Sequence, residues 1–134
     1  MIAPAIHFSN GDCAKAIELY KEAFGMTVHS IRYYRDAPPD SGMPMAEAMR
    51  DWVMHAELEI CGSRVNMSDS DEAVTAGDMI LLNVFFSSSE DVKKAYHALE
   101  AQGEVRVALG PQFFSPMYGS VRDRYGVHWQ LIAE

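Results

Sequence analysis

The sequence predicts an α+β fold of two βαβββ modules, which together form a curved, mainly antiparallel sheet with a central cavity. Two observations lead to this prediction. The first is an internal repeat, in which Phe8 reappears as Phe86 and Gly25 as Gly103 at one constant offset. The second is that each copy holds one segment of helical periodicity among several segments of strand alternation. Two similar modules favour a cleft where they meet, so the repeat also predicts a ligand cavity.

The first module starts with a strand, since Ile6 and Phe8 fall on one of its faces and the neighbouring residues on the other. Asp12 is a candidate N-cap for the helix that follows. The apolar stripe of this helix begins at Cys13, and Gly25 ends it. The predicted elements of this module are the strand Ile2–Phe8, the helix Cys13–Phe24 and the strands Thr27–Tyr34, Val53–Ile60 and Arg64–Ser68.

Alternation is cleanest in the third predicted strand. Ala56 and Leu58 belong to its apolar face, which we expect to pack under a helix. Val53, His55 and Glu57 belong to the opposite face. This assignment places a histidine and a carboxylate side by side on the surface that would line the cavity.

The second module repeats this order after a polar linker. Its helix is predicted over residues 89–102, after a serine-rich turn. Trp129 and Gln130 point to opposite faces of the last strand, which indicates that Trp129 lies in the core. Arg122, Asp123 and Arg124 are expected to form a turn, with Asp123 capping or pairing locally. The predicted strands are Met79–Phe86, Glu104–Leu109, Met117–Val121 and Val127–Ile132.

Composition limits the class of protein. A chain of 134 residues with 49% hydrophobic residues suits one globular domain, 1–134, with modules 1–69 and 79–134. A formal net charge of −8 argues against a nucleic-acid partner, which a basic surface would recognise. No apolar run is long enough to span a membrane, and the N-terminus does not resemble a signal peptide. Cys13 and Cys61 are interpreted as two reduced thiols of a cytoplasmic protein.

Residues 36–51 form the one long predicted connection. This connection is rich in adaptable apolar side chains, since it contains Met43, Met45 and Met49 and is followed by Trp52. Two interpretations stay open: a lid over the cavity, or a short helix packed on a dimer partner.

Three sequence segments resemble the glyoxalase/bleomycin resistance/dioxygenase (vicinal oxygen chelate) superfamily, and within it the PhnB-like branch, also labelled 3-demethylubiquinone methyltransferase-like. They are Asn10-Gly11 with Ala16 to Gly25, His55 to Gly62 with Val65 to Asp69, and Phe113 to Trp129. The resemblance covers nearly the whole chain. It implies the glyoxalase-type fold, and many relatives with this arrangement are homodimers.

The resemblance also implies where metal-dependent relatives hold their four ligands. The first ligand position corresponds to Ala5 in this sequence. The other three positions fall near Asn66, Leu81 and Gln130. None is a histidine or a carboxylate, which are the side chains that bind divalent metals well. We therefore expect no metal and no cofactor. The methyltransferase label is also doubtful, because Gly11 stands alone where a cofactor-binding loop needs several glycines.

Strand alternation, together with the implied fold, gives a set of candidate ligand-binding residues. For the histidines and Glu57 three interpretations stay open: a substitute metal site, direct contact with a ligand, or a structural role. Trp52 enters the set as part of the possible lid and Phe114 as part of the cavity wall. The full set is His7, Trp52, His55, Glu57, Asn66, Ser68, Asn83, Phe114, His128 and Gln130.

The expected function is the binding of a small molecule in a metal-free cavity by a cytoplasmic homodimer, with no membrane partner and no reaction predicted. The alternative is a metal-dependent lyase, isomerase or dioxygenase. Such an enzyme would use a relocated site at His7, His55, Glu57 and His128, or His55 as acid–base. The two hypotheses differ in whether the side chains of the three histidines and Glu57 converge on one point.

Overall fold

The computed structural model describes residues 1–42 and 46–134. It divides the chain into two compact units, residues 1–18 with 26–74 and residues 19–25 with 75–134. Helix α1, Cys13–Phe24, contributes its first half to the first unit and its second half to the second. Within the described part of the chain, no helix has the length and apolar character needed to cross a membrane.

The first unit is built on a four-stranded sheet. Its strand order is β1-β4-β3-β2, in which β1 and β4 run parallel and the other two pairings are antiparallel. Two short 3₁₀ turns, Tyr34–Asp36 and Glu47–Met49, lie in the long connection. The strands are β1 Ala5–Phe8, β2 Thr27–Tyr33, β3 Val53–Ile60 and β4 Ser63–Asp69.

The second unit repeats this plan with the order β5-β8-β7-β6, again with one parallel pairing. The predicted α+β class with two βαβββ modules is therefore confirmed. The strands of each module hydrogen-bond to one another and form a four-stranded sheet of their own. The elements are β5 Leu82–Phe86, α2 Ser89–Glu100, β6 Glu104–Gln112, β7 Ser115–Arg122 and β8 His128–Ala133. Ser88 caps α2 by accepting a hydrogen bond from the Asp91 backbone nitrogen at 3.1 Å.

In the first unit, a carboxylate from the end of β4 ties three elements together. Asp69 accepts hydrogen bonds from the backbone nitrogens of Cys13 at 2.9 Å and Val53 at 2.8 Å. Tyr34 donates its hydroxyl to the Asp69 carbonyl at 3.1 Å. Asp12 precedes α1 as expected, but the side chain that satisfies the first turn is Asp69, which is 56 residues away from Cys13.

In the second unit, Trp129 is buried as predicted, and it packs against residues of α1. Its ring lies 5.2 Å from that of Tyr20 and 4.9 Å from that of Phe24. Asp123 accepts hydrogen bonds from the Tyr20 hydroxyl at 2.6 Å and from Trp129 Nε1 at 2.8 Å. Asp123 was predicted to cap or pair locally. This is only half of its role, since it also joins α1 to β8.

The start of β5 and the orientation of Val53 differ from the predictions, as do the bounds of β1, β6 and β7, which are Ala5–Phe8, Glu104–Gln112 and Ser115–Arg122. The strand predicted to start at Met79 starts at Leu82, because pairing with β8 begins there; Met79 and Ile80 are 97% and 77% exposed. Val53 was expected opposite the core but is fully buried, since a register shift between β2 and β3 turns it inward.

Candidate functional site

One face of the second unit's sheet carries a run of polar side chains, which we call the polar face: Tyr118, Ser120, Arg122, His128 and Gln130. Alternation along β7 and β8 places them together. The register pairs Arg122 with His128 and Ser120 with Gln130 across the two strands. The residues between them point to the other face, where Trp129 and Val121 are buried.

His128 is a buried ionisable group of the polar face. Its Nε2 atom lies 2.9 Å from the Ser120 hydroxyl oxygen. Its Nδ1 atom is buried and has no hydrogen-bond partner within residues 1–42 and 46–134. Burial lowers the pKa of His128, and the positive charges of Arg106 and Arg122 lower it further, against a smaller opposing effect of Glu104. The imidazole is therefore neutral at pH 7.

Tyr118 and Gln130 form a second hydrogen-bonded pair on the same face. Burial raises the pKa of the Tyr118 hydroxyl, and the hydrogen bond from Gln130 partly offsets this effect. Asn83, on β5, pairs directly with Gln130 in the parallel register. Phe114, which is half exposed, packs edge-on against Tyr118 with ring centroids 5.1 Å apart. Of the predicted ligand-binding residues, Gln130 and Phe114 thus contact Tyr118, and Asn83 pairs with Gln130.

Two arginines border the polar face beside His128. Arg122 forms an ion pair with Asp78. Arg106 lies 3.5 Å from the same Asp78 oxygen and 3.8 Å from Glu104. Two guanidinium groups therefore share one carboxylate at the end of the polar face.

The predicted residues of the first unit lie on one face of its own sheet. His7 pairs with Ser68, and Glu57 pairs with Asn66. Glu57 also forms an ion pair at 3.3 Å with Arg64, a neighbour that the sequence analysis did not consider.

His55 was expected on the floor of the cavity, partly desolvated. It is exposed and lies opposite Arg32 of β2. This exposure does not match the partly desolvated ligand anchor that the sequence predicted.

Trp52 belongs to a different feature, a cavity of about 270 Å³ within the first unit. The close approach of its indole explains why position 11 is a glycine, because a Cβ there would lie 2.5 Å from Trp52 Nε1. The other lining residues are Ser9, Asn10, Ser70, Asp71, Glu72, Ala73 and Val74. Met49, also considered for a lid, is buried, and Met43 and Met45 lie outside the described residues.

The pairing register of the strands corrects one of the four positions that correspond to metal ligands in relatives, the one assigned near Leu81. Ala5 pairs with Asn66, and the equivalent pair in the second unit is Asn83 with Gln130, whereas Leu81 precedes β5. All four side chains of this corrected set are alkyl groups or neutral amides. No group of three or more His, Cys, Asp or Glu side chains within the described ranges could hold a metal ion, so the relocated metal site gains no support.

The sequence analysis missed Ser120 and Arg122 as site residues. The signal was present, because Tyr118, Ser120 and Arg122 alternate along one strand. Arg106 and Asp78 had no such signal: Arg106 lies at a register shift between β6 and β7, and Asp78 precedes β5.

Comparison with known proteins agrees with this architecture. The model of the Glyoxalase/Bleomycin resistance protein/Dioxygenase superfamily matches residues 4–131. Protein YjdN of Escherichia coli K12 is 29% identical over 143 residues, covering 97% of this chain and 92% of YjdN. The structure of PA1353 from Pseudomonas aeruginosa is 26% identical, with a TM-score of 0.85 over 100% of this chain and 97% of that one. The PhnB protein from Bacillus cereus is also 26% identical, with a TM-score of 0.81 over 99% and 98% of the two chains.

Proposed function

The chain belongs to the Glyoxalase/Bleomycin resistance protein/Dioxygenase superfamily, and on that basis we propose that it binds a small molecule on the polar face of its second unit. His128 is the proposed anchor. The proposal needs no metal ligand, because the groups concerned are a neutral imidazole, two hydroxyls and an amide. No reaction is proposed.

The observation that carries the proposal is the environment of His128. The residue is nine-tenths buried, yet its Nδ1 atom has no partner in the part of the chain that the structure describes. A buried polar atom without a hydrogen bond costs about 1–3 kcal/mol, so native proteins rarely leave one unsatisfied. A bound molecule that hydrogen-bonds to Nδ1 would remove this cost.

The hydrogen bond with Ser120 determines what Nδ1 offers to a ligand. If the Ser120 hydroxyl donates to Nε2, the ring proton is on Nδ1, which then donates to an acceptor on the ligand. If Nε2 donates to Ser120, Nδ1 accepts instead. The neutral imidazole thus recognises either partner, and a change of tautomer, in which the ring proton moves between Nδ1 and Nε2 while the Ser120 hydroxyl reorients, switches between them.

The neighbours of His128 favour a small, polar, partly apolar molecule. Tyr118 and Gln130 supply a hydroxyl and an amide, and Asn83 adds an exposed amide beside them. Phe114 and Phe85 are half exposed and offer apolar contact. A few convergent polar groups beside aromatic side chains are typical of small-molecule sites.

We also propose that the protein forms homodimers in the cytoplasm. Support for self-association comes from apolar side chains left exposed in the second unit, namely Phe113, Phe114, Val105 and Val107. Light scattering across a concentration series tests this: the mass should be twice 15.0 kDa, and a mass of one chain at high concentration would contradict it.

A metabolite screen by thermal shift tests the proposed site. Wild-type protein, His128→Gln and the control His29→Gln are each screened with one library. His29 is an exposed histidine of β2 in the first unit. At least one compound should raise the Tm of wild type and His29→Gln but not of His128→Gln.

A further arm tests the competing site of the first unit. His55→Gln removes the histidine that the sequence analysis favoured. If the shift is lost in His55→Gln and kept in His128→Gln, the proposed location is wrong. If no compound shifts any variant, the binding function itself is wrong.

A further inference from the structure

The pair of arginines at the end of the polar face is unusual for so acidic a chain, which carries a formal net charge of −8. Arg106 and Arg122 both contact the same oxygen of Asp78. Their side chains are 33% and 24% exposed, whereas that of Asp78 is 57% exposed. The two cations are therefore held by the sheet, and their shared anion lies on the solvent side.

Asp78 reaches this position from a segment with little packing of its own. It belongs to neither a strand nor a helix, since β5 begins only at Leu82. Met79 and Ile80, which follow it, are almost fully solvent-exposed. Ion pairs with an exposed partner contribute little to stability, because water screens the two charges. A dissolved anion that offers better geometry can therefore compete with Asp78.

Asp78 leaves part of the hydrogen-bonding capacity of these guanidinium groups unused. Arg122 Nε is buried and forms no hydrogen bond with any residue that the structure describes. A guanidinium has five N–H donors, and an oxyanion with two or more oxygens accepts from two of them at once. The contacts with Asp78, in contrast, are made by one oxygen.

The arginine pair adjoins the proposed anchor. Arg122 is the cross-strand partner of His128, and the charges of both arginines act on the imidazole. A molecule bound at Nδ1 of His128 would therefore have the guanidinium groups beside it.

We propose that Arg106 and Arg122 form an oxyanion subsite, that Asp78 occupies it in the unliganded protein, and that the ligand displaces Asp78 with a carboxylate or a phosphate-like group. This inference rests on the proposed function, because it names the chemical class of the molecule that binds beside His128. Asp78 is then an internal competitor.

The charges of the subsite predict how Asp78 affects affinity. The two arginines face two carboxylates, Asp78 and Glu104, so the formal charges cancel. Asp78→Asn removes one carboxylate and leaves one uncompensated positive charge. Losing an exposed ion pair as the competitor should tighten oxyanion binding about fivefold.

The test uses inorganic phosphate and acetate as probes, titrated at constant ionic strength with chloride as the reference ion. Binding is followed by the NMR signals of the arginine Nε–H groups. Wild type is compared with Asp78→Asn, Arg106→Gln and the control Asp40→Asn, an exposed carboxylate in the first unit. Asp78→Asn should bind the preferred probe about fivefold more tightly than wild type, Asp40→Asn should match wild type, and Arg106→Gln should lose binding. The preferred probe distinguishes a carboxylate ligand from a phosphate-type ligand.

Either of two results with Asp78→Asn would overturn the inference. The first is equal affinity of Asp78→Asn and wild type for both probes. The second is a lower Tm of Asp78→Asn with no gain in affinity, which would make Asp78 a strap that holds its segment on the sheet. These results are separable from failure of the proposed function. If metabolites bind through His128 while neither probe binds, the ligand is uncharged; if the probes bind while no metabolite depends on His128, the subsite acts alone.

Discussion

The Nε2 atom of His128 lies 2.9 Å from the hydroxyl oxygen of Ser120, and both side chains are buried in the second unit. Burial and two nearby arginines lower the pKa of this histidine below its ordinary value of 6.5. The folded protein therefore holds a neutral imidazole at a pH where the unfolded chain would protonate it.

This difference predicts a pH dependence of stability. When a histidine's pKa is lower in the folded state, the unfolded state binds more protons between the two pKa values, so stability is complete above about pH 6.5 and falls as the pH drops below it. Chemical denaturation at pH 7.5 and 5.5 should show a larger loss for wild type than for His128→Gln. His29→Gln should lose as much as wild type. Equal losses in wild type and His128→Gln would show that the pKa of this imidazole is the same in the folded and unfolded states.

Asp123→Asn should destabilise the protein strongly. One carboxylate oxygen accepts from Tyr20 and Trp129, and the other accepts from the backbone nitrogens of Tyr125 at 2.9 Å and Val127 at 3.1 Å. An asparagine amide would direct N–H groups at one of these donor pairs, so we expect a loss of about 3 kcal/mol in the free energy of unfolding.

Urea denaturation measures this loss, and a double-mutant cycle checks its cause. Tyr20→Phe removes one of the four donors and should cost about 1 kcal/mol alone. In the Asp123→Asn background the same change should cost less, because the contact is already lost. Additive effects would contradict a direct link between the two residues.

Gly119→Ala should destabilise the second unit by about 1–3 kcal/mol. A Cβ at this position would lie 2.7 Å from Cδ2 and 2.9 Å from Cε2 of Tyr96 in α2. Gly110→Ala is the matched control, since a Cβ there meets no atom within 4 Å. Thermal denaturation of both variants makes the comparison, and Tyr96→Ala should relieve most of the cost of Gly119→Ala. A cost of Gly119→Ala equal to that of Gly110→Ala would show that α2 does not pack closely on β7.

The two thiols should differ in reactivity. Cys13 is fully buried, and burial, reinforced by the charge of Asp69, raises the pKa of its thiol. Cys61 is exposed in the turn after β3. Titration with a thiol reagent should label one equivalent in the native protein and a second only after unfolding. Cys61→Ser should abolish the native reaction; persistent labelling would mean that Cys13 is accessible.

Local periodicity was enough to predict much of the second unit. Alternation assigned Trp129 to the core and Gln130 to the opposite face, and both assignments hold. Arg122 was overlooked because the strand was ended one residue too early, at Val121. A polar residue at a strand end gives the same local pattern as a turn residue, so only the pairing with His128 distinguishes them.

Long-range hydrogen bonds could not be predicted in this way. Asp69 caps a helix that begins 56 residues before it, and Asp123 binds a tyrosine 103 residues before it. Neither carboxylate has a sequence pattern that names its partner. His55 illustrates the reverse case: alternation with Glu57 was real, but exposure and the neighbouring Arg32 depend on how β2 pairs with β3.

The division of helix α1 between the two units has a consequence for synthesis. Tyr20 and Phe24 are synthesised 109 and 105 residues before Trp129, on which their rings pack. At bacterial and eukaryotic elongation rates, the interval is on the order of ten seconds. During that time the aromatic side of the helix is uncovered on the nascent chain and available to chaperones. The burial of this helix is thus complete only after Trp129 has been synthesised.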